Sequence, residues 1–126
     1  MTENEKDLLV KDLCARLPYG LKIALKTYED IDEIDSIGTL CQLNKQYFWI
    51  LEDEYERCIE YNKPYLFPLS SMTEEQIKEF NSITQKCSTY IGKSILLTDF
   101  CNKHHIDWRG LIEKGLALDA TGLNIY

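Results

Sequence analysis

Residues 39–51 read Thr39-Leu40-Cys41-Gln42-Leu43-Asn44-Lys45-Gln46-Tyr47-Phe48-Trp49-Ile50-Leu51 and indicate an antiparallel β-hairpin. The polar residues 44–46 form the predicted turn, because two extended segments joined by so short a connection pair antiparallel. The run from Tyr47 to Leu51 is apolar at every position, which is typical of a central strand covered on both faces. The preceding strand is predicted near residues 36–43.

Two further segments extend this sheet. Leu21, Ile23 and Leu25 alternate with more polar residues, which is the period-two pattern of a half-buried strand. Residues 58–67 are also predicted to be extended, and Pro64 and Pro68 restrict this piece to an edge position or to the end of a strand. The sequence therefore predicts a small, mostly antiparallel sheet of three or four strands between about residues 21 and 67.

Helices are predicted on both sides of this sheet in the chain. Residues 5–17 have apolar side chains at helical spacing, with Lys11, Asp12 and Arg16 on the opposite, polar side. Thr73 and Gln76 form a capping box before a helix from 74 to about 90, which Gly92 ends. A shorter helix is expected to begin at Thr98 or Asp99, and Asp107 is expected to cap another at 108–114. We therefore predict one α+β domain over residues 1–126, with two or three C-terminal helices packed on one face of the sheet.

Composition argues against a membrane-spanning or secreted protein. No apolar run approaches the ~20 residues of a membrane span, and residues 1–7 are polar and acidic, unlike a secretory signal. The five cysteines are an odd number without a C-x-x-C pair, which favours reduced thiols and a cytoplasmic protein. Most of them have apolar neighbours and are expected to act as small core residues.

The charge of the chain is concentrated in its middle. The net charge is −7, and residues 29–61 alone hold ten acids and two bases. This surface repels phosphate backbones and would attract a basic protein partner. No cofactor is expected. The sequence therefore predicts a partner-binding surface at the acidic midsection, comprising Glu29, Asp30, Asp32, Glu33, Asp35, Glu52, Asp53, Glu54 and Tyr55.

One local group of residues could carry chemistry. Cys101, His104, His105 and Asp107 place a thiol, two imidazoles and a carboxylate within seven residues. A structural zinc site normally needs four ligands in two pairs, and no second pair follows the single C-x-x-H. The alternative interpretation is that His104 packs at a helix end, His105 faces solvent and Asp107 caps a helix.

Three segments carry a resemblance to a known group. They are LLVKDLCARLPYG at 8–20, KPYLFPLSSMTEEQ at 63–76 and HHIDWRGLIEKGLAL at 104–118. They resemble uncharacterised small proteins encoded by Bacteroides-type gut bacteria and by their phages and mobile elements. The resemblance implies a genomic setting and no catalytic residue.

These observations favour a non-enzymatic, phage-type accessory protein that binds and modulates a host protein through the acidic midsection. The alternative is a small metal-binding or Cys/His enzyme that uses Cys101, His104, His105 and Asp107. Nucleic-acid binding is disfavoured, and it would depend on the bases near the N terminus, namely Lys6, Lys11, Arg16, Lys22 and Lys26.

Overall fold

The computed structural model describes residues 1–26, 34, 36–52 and 56–126. In these ranges the elements are helix α1 (Glu3–Arg16), strands β1 (Lys22–Leu25), β2 (Ser36–Leu43), β3 (Tyr47–Ile50), β4 (Glu56–Cys58) and β5 (Lys63–Leu66), helices α2 (Glu74–Lys86) and α3 (Tyr90–Lys103), and strand β6 (Leu118–Asp119). The α+β class, the N-terminal helix and two C-terminal helices are confirmed. No helix in the described ranges is long and apolar enough to span a bilayer.

Helix α1 is defined by signals at both of its ends. Thr2 and Glu5 form a capping box at its start, and the chain leaves it through a 3₁₀ turn that contains Pro18. Leu9 and Leu13 are buried, as their spacing predicts. Asp12 and Arg16 are also fully buried, so their predicted place on a solvent-facing side is wrong. The reason is that α1 is covered on a second side by the chain at the C-terminal end of α3.

The sheet is larger than predicted. Within the described ranges it has six strands in the order β4-β3-β2-β1-β5-β6, and every pairing is antiparallel except that of β5 with β6. Strand β5 lies between β1 and β6, which excludes the edge position, and Pro64 lies near the start of the strand, as the other predicted alternative requires. Strand β6 has two residues, which is too short to produce an alternating pattern.

The β2–β3 hairpin is confirmed, with a difference in burial. Leu40 pairs with Ile50 and Leu43 with Phe48, and the register shifts at Cys41. Phe48 and Ile50 are buried, whereas Tyr47 and Trp49 are only half-buried. The apolar run therefore occupies a strand that is fully covered on one face rather than on both.

The C-terminal helices have different boundaries from those predicted. The Thr73–Gln76 capping box starts α2 as expected. Helix α3 begins at Tyr90, because the Thr89 hydroxyl accepts a hydrogen bond from Gly92 N, so Gly92 lies inside a helix and ends none. Thr98 and Asp99 lie within α3 and cap no helix. Residues 108–114 form turns rather than a helix.

Three clusters of buried residues hold the described chain together, and one of them joins Ala24 of β1, Tyr65 of β5 and Ala120 after β6. The main core lies between α1 and the sheet and includes Leu9, Leu13, Ile23 and Phe48. A separate cluster around Phe100 holds α2, α3 and the chain that follows them. Helix α2 packs mainly on α3, and α3 contacts α1, so the expected packing of these helices on a sheet face is wrong.

Candidate functional site

The structure describes one of the nine residues of the predicted acidic surface. Eight of its nine members lie outside the described residues: Glu29, Asp30, Asp32, Glu33, Asp35, Asp53, Glu54 and Tyr55. The ninth, Glu52, accepts hydrogen bonds from the backbone N–H and the hydroxyl of Thr39, both at 2.8 Å. The backbone hydrogen bond is the main cause that holds the pKa of Glu52 below its ordinary value. Glu52 therefore fastens the end of β3 to β2.

The two adjacent histidines have different surroundings. His104 ends α3, its ring packs 4.7 Å from that of Phe100, and its Nε2 lies 3.9 Å from Glu79 Oε2. His105 is buried, which contradicts the interpretation that it faces solvent. Its backbone has a φ of +57°, and this left-handed conformation turns the second ring away from the helix that ends at the first.

His105 is held as a neutral ring. Its Nε2 lies 2.9 Å from Tyr19 O, and since a carbonyl oxygen only accepts, Nε2 carries the proton. The ring stacks on that of Tyr126 at 4.2 Å, while Nδ1 is buried and has no hydrogen-bond partner in the described part of the chain. Burial is the main cause that lowers the pKa of His105 to about 4. At neutral pH the ring is therefore an uncharged packing group.

Cys101 and Asp107 also have local roles. Cys101 lies in the Phe100 cluster, where burial raises the pKa of its thiol and so disfavours the thiolate. The Asp107 carboxylate accepts hydrogen bonds from Leu111 N at 2.8 Å and from Ile112 N at 2.9 Å. It thus caps the turn that follows, though not a helix as expected.

These four side chains do not form one site. Among the described residues, no three His, Cys, Asp or Glu side chains are placed to hold a metal ion together. The thiol, the two imidazoles and the carboxylate each contact different neighbours, although they are close in the sequence. Proximity along the chain was therefore misleading at this position.

A buried ionic network links α1 to the C-terminal half of the chain. Arg16 Nε donates to Asp12 Oδ2 at 2.8 Å, and its Nη groups donate to Cys101 O and Ile106 O. Arg109 Nε donates to Asp12 Oδ1 at 3.1 Å. The i, i+4 spacing of Asp12 and Arg16 was the sequence signal for this pair. Because Arg16 is fully buried, it cannot contribute to a nucleic-acid surface.

Trp108 separates two adjoining cavities on the surface. The first, of about 470 Å³, lies between α2, α3 and Trp108 and includes Phe80, Tyr90 and Leu97 in its wall. The second, of about 500 Å³, lies beside Trp108 and includes Ser70, Arg109, Glu113 and Lys114 in its wall. Leu69 and Trp108 belong to both walls, so the two cavities adjoin, and we call the pair of cavities the Trp108 groove.

An exposed apolar surface adjoins this groove. In the first two turns of α3, Tyr90 is 88% exposed, Ile91 72% and Ile95 57%, and Leu96 is also exposed. Helix α3 is apolar around much of its circumference, and its buried residues are Phe100, Cys101 and Asn102 near its C-terminal end. Sequence reasoning missed this surface because it treated residues 90–97 as the end of one helix and the approach to the next.

Comparison of the chain with protein-family models, with curated proteins and with solved structures found no match.

Proposed function

We propose that the chain is a non-enzymatic protein-binding domain whose docking surface is formed by α3 and the Trp108 groove. The observation that carries this proposal is the exposure of four large apolar side chains within residues 90–96. Large apolar side chains exposed to water in this number on one helix are costly, and exposed apolar patches mark interaction sites in soluble proteins. Tyrosine and tryptophan are also enriched at the energetic centres of interfaces, and Tyr90 and Trp108 share one cavity wall.

The alternative is a metal-binding or Cys/His enzyme built on Cys101, His104, His105 and Asp107. It requires these side chains to face a common point. In the described structure they contact different neighbours, and the Cys101 thiol has a raised pKa. This geometry supports the binding function over the enzymatic one.

The acidic midsection remains a second hypothesis for the docking surface. Residues 29–61 hold ten acids and two bases, and long-range steering would bring a basic partner towards them. The resemblance of residues 8–20, 63–76 and 104–118 to phage-associated proteins makes a bacterial host protein the expected partner. The two surfaces are distinguished by separate substitutions.

Affinity capture from a Bacteroides lysate tests the proposal. The double variant Ile91→Asp/Ile95→Asp places two charges on the exposed face of α3 and should lose the captured protein. Leu51→Asp is the matched control, since Leu51 is 70% exposed and lies at the opposite end of the described sheet region, after β3. Circular dichroism must show that both variants remain folded.

A third variant addresses the acidic midsection, with the acids of residues 29–35 replaced by their amides. Equal capture by this variant and the native chain would exclude those residues as the docking surface. Equal capture by the α3 double variant and the native chain would contradict the proposed function, because a docking surface cannot accept two charges at its centre without loss of affinity.

A further inference from the structure

The two cavities of the Trp108 groove differ in chemistry. The cavity on the α3 side includes the rings of Phe80 and Tyr90 and the side chain of Leu97, and its only charged wall residue is Lys93. Its volume of about 470 Å³ lies within the range of about 300–1,000 Å³ typical of ligand pockets. This half of the groove fits bulky apolar side chains.

The cavity on the other side of Trp108 holds a fixed guanidinium group. Arg109 Nε donates a hydrogen bond to the buried Asp12 carboxylate, and Arg109 Cζ lies 4.1 Å from the centroid of the Trp108 ring. Among the described residues no acceptor bonds its two Nη groups, which are the atoms that bind a carboxylate in a forked geometry. The side chain is held in place before any ligand arrives, which reduces the entropy cost of binding.

A second cation lines the same cavity. Lys114 Nζ lies 3.3 Å from Arg109 O and is otherwise exposed. Of the two acids in this wall, Asp107 accepts hydrogen bonds from two backbone N–H groups, whereas Glu113 is exposed and has no hydrogen-bond partner among the described residues.

The groove therefore has the opposite charge from the chain as a whole. Its walls contain three basic residues, Lys93, Arg109 and Lys114, and two acidic ones, Asp107 and Glu113, whereas the whole chain has a net charge of −7. Charge complementarity between a docking surface and its partner increases both the rate and the specificity of association.

We propose that the Trp108 groove binds a partner peptide segment in which a bulky apolar side chain is followed or preceded by a carboxylate. The apolar side chain occupies the cavity between Phe80, Tyr90 and Leu97, and the carboxylate pairs with Arg109 and Lys114. The inference rests on the proposed function and specifies the partner chemistry at the same surface. It assigns to the groove an acidic partner, in contrast to the basic partner predicted from the midsection.

The probe is a phage-displayed library of random 12-residue peptides, selected on the immobilised protein. Enriched peptides are synthesised with a fluorescent label, and their dissociation constants are measured by fluorescence polarisation. We expect the enriched sequences to place Asp or Glu close to Phe, Trp or Leu. Replacement of that acid by its amide should weaken binding at least about tenfold and flatten the salt dependence.

Variants of exposed residues localise the binding without disturbing the fold. Lys114→Glu and Tyr90→Ala should each raise the dissociation constant at least about tenfold, which is about 1.4 kcal/mol. The matched controls are Lys103→Glu, an exposed lysine of α3 outside both cavity walls, and Leu51→Asp. Each control should change the constant less than about twofold, within the usual effect of distant surface changes.

Tryptophan fluorescence gives an independent readout. The chain has two tryptophans, so Trp49→Phe leaves Trp108 as the single reporter in the groove. Peptide binding should shift its emission, because Trp108 forms part of both cavity walls. An unchanged emission at saturating peptide would place the binding elsewhere and overturn the proposal.

Three other outcomes also overturn it. One is enrichment of basic peptides. A second is binding that Lys114→Glu and Tyr90→Ala leave unchanged. The third is a dimer in sedimentation experiments that Tyr90→Ala abolishes, which would make a second copy the occupant. If the partner captured from lysate is lost with Ile91→Asp/Ile95→Asp but not with Lys114→Glu, the proposed function stands and the acidic partner chemistry fails.

Discussion

Replacement of Arg16 by methionine should strongly destabilise the fold, although the residue is a charged one on an amphipathic helix. The side chain is fully buried and donates to Asp12 Oδ2 at 2.8 Å and to Ile106 O at 2.7 Å. Longer contacts, both at 3.3 Å, reach Asp12 Oδ1 and Cys101 O. Methionine matches the aliphatic stem of arginine but not its guanidinium group, so the variant tests the loss of charge and hydrogen bonds together with the loss of the volume of that group.

The magnitude follows from the groups that lose a partner. Cys101 O and Ile106 O each lose the guanidinium donor but keep a backbone donor, Ile106 N at 2.8 Å and Trp108 N at 3.1 Å respectively, so each loss costs only about 0.5–1.5 kcal/mol. The Asp12 carboxylate retains only Arg109, and loss of one member of a buried ion pair typically costs about 3–5 kcal/mol. Because these costs overlap, we expect the free energy of unfolding to fall by about 3–5 kcal/mol, a large part of the ~5–15 kcal/mol typical of a domain.

Urea unfolding followed by tryptophan fluorescence and circular dichroism measures this loss. The double variant Asp12→Leu/Arg16→Met removes both charges together and should be less destabilised than the sum of its two single variants, because neither leaves the other unpaired. If Arg16→Met lowers the free energy of unfolding by less than about 1 kcal/mol at an unchanged m value, the buried hydrogen bonds and the ion pair of Arg16 do not stabilise the fold as argued. Simple additivity of the two single variants would refute the coupling.

Three further predictions concern other parts of the fold. Gly38→Ala should lower the free energy of unfolding by about 1–3 kcal/mol in the same urea assay, because the added Cβ would lie 2.3 Å from Ile50 Cγ2 and overpack the sheet. His105 has a folded-state pKa of about 4, below its ordinary value of 6.5, so the unfolded state takes up the proton first as pH falls. Stability should therefore decline from about pH 6.5 to about pH 4, by up to about 3 kcal/mol, and His105→Asn, which tolerates the left-handed backbone, should flatten this decline. A thiol-reactive dye should modify the exposed Cys14 rapidly and the buried Cys101 only at the rate of unfolding; equal rates would contradict the assigned burial.

Much of the fold follows from local patterns. The Thr73–Gln76 capping box, the β2–β3 hairpin and the start of β1 after Gly20 lie where the sequence predicts them. Each depends on a few neighbouring residues, so its signal survives without tertiary information. The cysteines were less predictable, because Cys14 and Cys41 are exposed and only Cys101 is buried among the five. A cysteine has no strong pattern of its own and takes its burial from the surroundings.

The candidate site was largely beyond sequence reasoning. The thiol, imidazoles and carboxylate of residues 101–107 are close in the chain, but the left-handed backbone at His105 separates their side chains. The groove joins residues from α2, α3 and the turn at Trp108, which are up to about forty positions apart. The exposed apolar residues of α3 resemble core residues in the sequence. A hydrophobic side chain favours burial, but the sequence does not show whether it is buried in the core or exposed on the surface.

Sequence alone determined the α+β class, the Thr73–Gln76 capping box, the turn of the β2–β3 hairpin and the concentration of negative charge in the midsection, because each is a property of neighbouring residues. Tertiary structure decided that Asp12 and Arg16 are buried, that β5 is internal, and that the Trp108 groove carries basic residues on an acidic chain. These features arise when segments that are distant in the sequence pack against each other. Which residues become buried depends on how well the surfaces of these segments fit together, and the sequence of a single segment does not determine this.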